Sequence, residues 1–128
     1  MVTDQKNGDH KRRLGRRGED IAVGHLQRRG YVIVARNWRC PAGEIDIVAR
    51  EGETVTLVEV RTRRGERFGT PEESITPDKQ AKLVTLAETY LQEEDLADVA
   101  WRIDVVGIVL GRHGEVRRVN LIRNAVHT

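Results

Sequence analysis

Asp46, Glu59 and Arg61 stand inside two apolar stretches, Gly43-Glu44-Ile45-Asp46-Ile47-Val48 and Leu57-Val58-Glu59-Val60-Arg61-Thr62-Arg63. Strand side chains alternate between faces, so Glu59 and Arg61 project to one side, and Asp46 joins them if the two stretches pair as a hairpin. Glu19, on the margin of an upstream helix, can add a third carboxylate. Three acids and one base give a local charge of −2, which one divalent cation neutralises. Without an ion, like charges about 4 Å apart repel by roughly 4 kcal/mol at an effective dielectric of about 20. Either a metal binds, or a carboxylate stays protonated. A few hard oxygen ligands, with places left for water and phosphate, suit Mg²⁺ or Mn²⁺ better than zinc. The four histidines are too scattered to form a cluster.

A plainer explanation is that Glu44, Asp46, Glu59 and Arg61 form the wet face of a half-buried hairpin. The neighbours argue against it. Val48 shares the face of Asp46, and Val55 and Leu57 share that of Glu59 and Arg61, while Ile45, Ile47, Ala49, Val58 and Val60 cover the other side. Both faces are expected to be buried.

The elements that must position these groups follow from periodicity and punctuation. Leu14, Gly18, Ile21, Ala22, His25 and Leu26 keep to one helical stripe, which predicts a helix from Leu14 to about Arg29, stopped by Gly30. Strands are predicted over about Tyr31–Arg36, Glu44–Arg50 and Thr54–Thr62, forming a meander broken at Cys40-Pro41-Ala42-Gly43 and Glu51-Gly52-Glu53. Arg63 to Ile75 reads as a long loop of the kind that often acts as a lid. Thr76-Pro77-Asp78 caps a second helix carrying Leu83, Leu86, Ala87, Tyr90 and Leu91, and strands at Ala100–Leu110 and Val116–Ile122 complete the chain. Residues 1–11 are expected to be a disordered basic tail, 12–123 a single domain, and 124–128 a C-terminal tail. The element order predicts an α+β or α/β/α sandwich.

Composition sets wide bounds. At 128 residues, 38% hydrophobic and 33% charged, the chain holds one real core and no apolar run approaching the roughly 18 residues of a membrane span. One cysteine excludes an internal disulfide framework, and the polar start is unlike an export signal, so a reducing cytoplasm is expected. The net charge of +2 is uneven: residues 1–39 carry ten Lys or Arg against four Asp or Glu, and the remainder twelve against sixteen. A basic edge beside a carboxylate site suits a polyanionic partner. Arg63, Arg64 and Arg67 lie just beyond the acidic pair, and Lys79, Gln80 and Lys82 lie early on the second helix, where side chains and backbone amides can meet phosphate. Asp104 either supports the site or ends a strand pair.

Asp46 followed, after a hairpin, by Glu59-Val60-Arg61, with Glu19 upstream, resembles the PD-(D/E)XK signature of Holliday-junction resolvases and many restriction enzymes. More closely, Gly18-Glu19, Gly43 to Val48, Val58 to Arg63 and Arg102-Ile103-Asp104-Val105-Val106 resemble the bacterial YraN family of endonuclease-like proteins over about residues 12–123. The resemblance implies a three-layer α/β/α, restriction-endonuclease-like fold with a central mixed five-stranded sheet. It implies Asp46 and Glu59 as ligands of Mg²⁺ or Mn²⁺, Glu19 as an auxiliary acid and nucleic acid as substrate, with DNA favoured over RNA. Resolvases of this kind pair two active sites, which leaves a homodimer open.

One position departs from the pattern. Where the signature expects Lys, this chain has Arg61, which keeps the charge and can grip phosphate bidentately but cannot lose a proton to act as a base. Two expectations therefore stand: a metal-dependent nuclease for branched, flapped or single-stranded nucleic acid, and a noncatalytic nucleic-acid-binding or adaptor protein on the same fold.

Overall fold

The β-branched runs of the meander do form strands, and they join a sheet of five in the order β1-β2-β3-β4-β5. The structure, a computed structural model, describes residues 2–65, 67 and 69–126, with side chains from residue 11 onward. Helix α1 (Val2–Arg28) precedes β1 (Val32–Cys40), β2 (Gly43–Glu51) and β3 (Thr54–Arg64); a 3-10 turn (Pro71–Ser74) and α2 (Pro77–Glu93) lead to β4 (Trp101–Leu110) and β5 (Val116–Ile122). Neighbouring strands are antiparallel except β3 and β4, which run parallel because α2 carries the chain across between them. The fold is α/β, with an open mixed sheet between two helices.

Each helix buries one apolar stripe on one face. Ala22 and Leu26 of α1 pack on Ile47, Ala49, Val58 and Val106, and Leu86, Ala87, Tyr90 and Leu91 of α2 pack on Val48, Val55, Leu57 and Ile103. Every fully buried Leu, Ile or Val here contributes about 1.5–3 kcal/mol relative to exposure. Thr76 caps α2 by accepting from the Lys79 amide at 3.3 Å, with Pro77 at the first helical position. Trp38 meets Tyr90 edge-on, ring centroids 5.2 Å apart, and fastens α2 to β1.

Three expectations change. The first helix starts at Val2 rather than near Leu14, so the segment expected to be a disordered tail is helical from its second residue. Once a packed helix is nucleated, extending it through residues such as Gln5 and Lys6 costs little per residue. At the other end residues 124–126 are part of the core: Ala125 donates to the Ile103 carbonyl at 2.8 Å and Val126 is buried. The loop after β3 is also no free lid in its second half. The Glu72 carboxylate, 9% exposed, accepts from Arg118 and Asn120 of β5 and lies against Gly107 of β4, where any Cβ would collide with it.

Asp104, fully buried, supports neither the acidic pair nor a strand end. It accepts from the Tyr31 hydroxyl, Arg102 Nε and the Asn124 amide, each at 2.9 Å. Arg102 also reaches Tyr31 and Glu51, and Glu51 pairs in turn with Arg123. Burial first, and the bond to Asp104 second, push the Tyr31 hydroxyl above its ordinary pKa, so it stays a donor. Among the described residues, no helix is long and apolar enough to cross a membrane.

Asp104→Ala would leave Arg102 and the Tyr31 hydroxyl without their shared acceptor, and urea denaturation should show a loss of about 3–5 kcal/mol. Arg123→Ala, at the exposed end of the same network, should cost about 1 kcal/mol or less.

Candidate functional site

Strand β2 belongs to two ladders, and it leaves one of them at Asp46. Its pairing with β1 continues to Cys40 opposite Gly43, but its pairing with β3 stops at Ile47 opposite Val58. The register places Asp46 opposite Glu59. Beyond that point the Asp46 carboxylate takes over the ladder's role and accepts from the Val60 amide at 2.8 Å. The alternation of β2 breaks at the same place: Ile45 packs in the core under α2, whereas Ile47 packs under α1. This corrects the expectation that both lie on one face. Across in β1, the residue facing Asp46 is Asn37, in the left-handed region at φ 53°.

Glu19 reaches the parting strands because α1 comes unusually close. Gly18 sits directly on Thr62 of β3, and a Cβ at Gly18 would clash with the Thr62 hydroxyl. The neighbouring Glu19 carboxylate, 16% exposed, accepts from the Asn37 amide at 2.9 and 3.0 Å, and the same amide donates to Glu44 at 2.8 Å. Arg36 lies 3.6 Å from Glu19. Asn37 therefore bridges two carboxylates that would otherwise repel.

Glu59 and Arg61 share a face as the alternation of β3 demands, and Asp46 of β2 hydrogen-bonds to Glu59. Burial, then a hydrogen bond and charge repulsion from Glu59, and finally the charge of Glu19, push the Asp46 carboxyl up to about 9 against the opposing Val60 amide. Of the two outcomes open from charge counting, the protonated carboxyl is the one this geometry produces without a cation. Arg61 donates to Glu59 at 3.1 Å, while its buried Nε has no hydrogen-bond partner among the described residues.

Among the described residues, no three of His, Cys, Asp and Glu gather tightly enough to cage an ion. What the site offers is two carboxylates in contact, a third acting through its charge, and an open cavity of about 310 Å³ bordered by Lys11, Gly15, Glu19, Asp46, Val60 and Arg61. That donor set fits a hard cation that keeps several waters, and does not fit a closed zinc site.

Arg61 also borders a second cavity of about 200 Å³, where Lys79 and Lys82 of α2 face Glu44 and Glu59. Gln80 is not with them: it donates to the Ile75 carbonyl at 3.3 Å and borders a different cavity, beside Glu72 and Val126. Arg63 and Arg64 are the last residues of β3, and exposed Arg67 bridges to Gly69 in the following loop. Asn37, Thr62 and the Val60 amide escaped the reading of the sequence. Asn37 left a signal, since Asn is depleted in strands and tolerates the left-handed region.

An open mixed sheet, split at an acidic pair and approached by a glycine-bearing helix, is thus the architecture of this chain. The model of the family described as "Uncharacterised protein family UPF0102" matches residues 18–108, and the chain belongs to that family, the YraN family of the resemblance. A "UPF0102 protein" of Caldicellulosiruptor saccharolyticus is 46% identical over 116 residues, covering 91% of this chain and 98% of the relative. One of Roseiflexus castenholzii is 50% identical over 115 residues (89% and 93%), and one of Chloroflexus aurantiacus 54% over 99 residues (77% and 80%).

Asn37→Ala should lower stability by about 1–2 kcal/mol, from left-handed strain and from release of Glu19 toward Glu44. Asn37→Gly should recover the backbone share only, as thermal melts would show. The raised Asp46 pKa has its own signature. The folded carboxyl holds its proton until about pH 9, whereas the unfolded one loses it near pH 4, so this stabilising share is complete below about pH 4 and lost as pH rises through about 9. In EDTA, wild type should lose more stability than Asp46→Asn over that window, by an amount on the order of a few kcal/mol.

Proposed function

We propose that this chain is a metal-dependent phosphodiesterase acting on branched, flapped or single-stranded nucleic acid, with DNA the favoured form. The observation that carries the reading is the Asp46–Glu59 pair: two carboxylates forced together between two cavities, Asp46 bordering one and Glu59 the other, with a proton where a cation could sit. Mg²⁺ or Mn²⁺, when bound, would polarise a phosphate and make a water acidic enough to attack it. Asp46 and Glu59 would hold the ion, and Asp46 would release its proton on loading. Lys79 and Lys82, across the second cavity, and Arg63, Arg64 and Arg67 near the end of β3 would supply positive charge along the backbone path. Arg61 stays charged throughout and steadies negative charge on phosphate oxygens, so it takes no part in removing the water's proton. With few aromatic side chains, recognition would rest on phosphates rather than on stacked bases.

One observation favours the noncatalytic reading. The Arg61 guanidinium is tied to Glu59 at 3.1 Å, where it competes with any cation for the same carboxylate. Lys at this position would be a more compact charge and would hold Glu59 less firmly.

Mn²⁺ titration calorimetry should show binding by wild type with release of about one proton per ion, read from the dependence of the heat on buffer. Glu59→Ala should abolish it. Labelled single-stranded, flapped and four-way substrates should be cut by wild type and left intact by Asp46→Ala, and Arg61→Lys should raise the rate by roughly tenfold or more. No Mn²⁺ binding by wild type would remove the metal site, and cleavage that survives Asp46→Ala would remove these carboxylates from the chemistry.

A further inference from the structure

We infer that Arg13, Arg17 and Arg64 form a separate phosphate subsite that holds the nucleic-acid backbone away from the acidic pair. Arg13 and Arg17 lie four residues apart on α1 and so share a face, and Arg64 is the final residue of β3. The three border one concave cavity of about 190 Å³, walled by Leu14 and floored by Leu110, which pairs with Arg64 in the β3–β4 ladder. Arg17 reaches toward the β4–β5 turn, where a Cβ at Gly114 would lie 3.2 Å from its guanidinium. Leu14 also borders the cavity of Asp46, so the two concavities adjoin across one side chain.

The chemistry of the two concavities differs. One is lined by the carboxylates of Glu19 and Asp46 together with Lys11 and Arg61; its neighbour presents three guanidinium groups from two elements and no carboxylate, and these match phosphate oxygens with paired N–H donors. A strand lying across Leu14 could place one phosphate at the acidic pair and another in the arginine cavity. The subsite rests on the nucleic-acid reading above, and it adds where the backbone leaves the site and on which side of α1. Arg13 and Arg17 belong to the basic first third of the sequence, but their convergence with Arg64 depends on α1 lying beside the end of β3.

The test is binding of a fluorescent single-stranded oligonucleotide in EDTA, by anisotropy over a range of salt. Arg13→Gln, Arg17→Gln and Arg64→Gln combined should weaken binding by about tenfold or more and lower the salt slope by about one or more, with Mn²⁺ affinity unchanged. A control combining Arg28→Gln, Arg29→Gln and Arg50→Gln removes the same charge from exposed positions elsewhere and should change affinity by less than about threefold. Melting curves of both variants check folding, and Arg64→Gln alone, on β3 rather than α1, should reproduce part of the loss. Equal effects of the two combinations would overturn the subsite while leaving the nucleic-acid reading in place; a wild type that binds no oligonucleotide would overturn both. Inorganic phosphate titrated alone is the remaining arm. Tight phosphate binding that needs the three arginines, without oligonucleotide binding, would identify a free-phosphate pocket and overturn the assignment to a backbone.

Discussion

At Asp46 a β-strand must choose between two neighbours, and it stays with β1. A carboxylate inside a continuous ladder would have been pressed against a buried sheet face with too few donors. By parting from β3, β2 gives that carboxylate the Val60 amide and opens a wedge beside it. Everything characteristic of the site uses the wedge: Glu59 and Arg61 enter from β3, Glu19 from α1, Lys79 and Lys82 from α2. Gly18 on one side of the sheet and Asn37 in the adjoining strand are the adjustments that let it open without leaving a void or an unbridged pair of acids.

The hairpin holding Asp46, Glu59 and Arg61 was legible because strand period and hydrophobic pattern speak directly to facing, and the register puts Asp46 opposite Glu59. The cap of α2 was legible for a similar reason, since Thr76-Pro77-Asp78 acts within one turn. Ile45 was misplaced because alternation assumes an unbroken strand, and a residue in the left-handed region in the adjoining strand cannot be seen in a two-residue pattern. Gln80 borders a different cavity from Lys79 because neighbours in sequence do not face the same side of a helix. Val126 and Glu72 are anchored by β4 and β5, and no local signal announces a partner some 46 residues away, as with Glu72 and Arg118.

The same carboxylates describe a balance between proton, arginine and metal. Asp46 holds a proton because it is buried and its neighbours are negative, and Glu59 is engaged by Arg61. A divalent ion would have to displace both. The site is therefore coupled to pH and to the identity of residue 61 through one pair of oxygen-bearing groups, which makes Arg61 the residue that separates cation binding from the chemistry that a bound cation could support.

The Asp104 network has a consequence for how the chain is made. Tyr31 and Asp104 are 73 residues apart, and Asp104 also needs the amide of Asn124. The first three strands can pair with one another as soon as they emerge, but Tyr31 and Glu51 wait for partners 73 and 72 residues further along the chain. Asn124 thus acts as a latch: the buried Asp104 carboxylate gains its full set of donors only after β4 and β5 have joined the meander, which makes the last step of folding a long-range one.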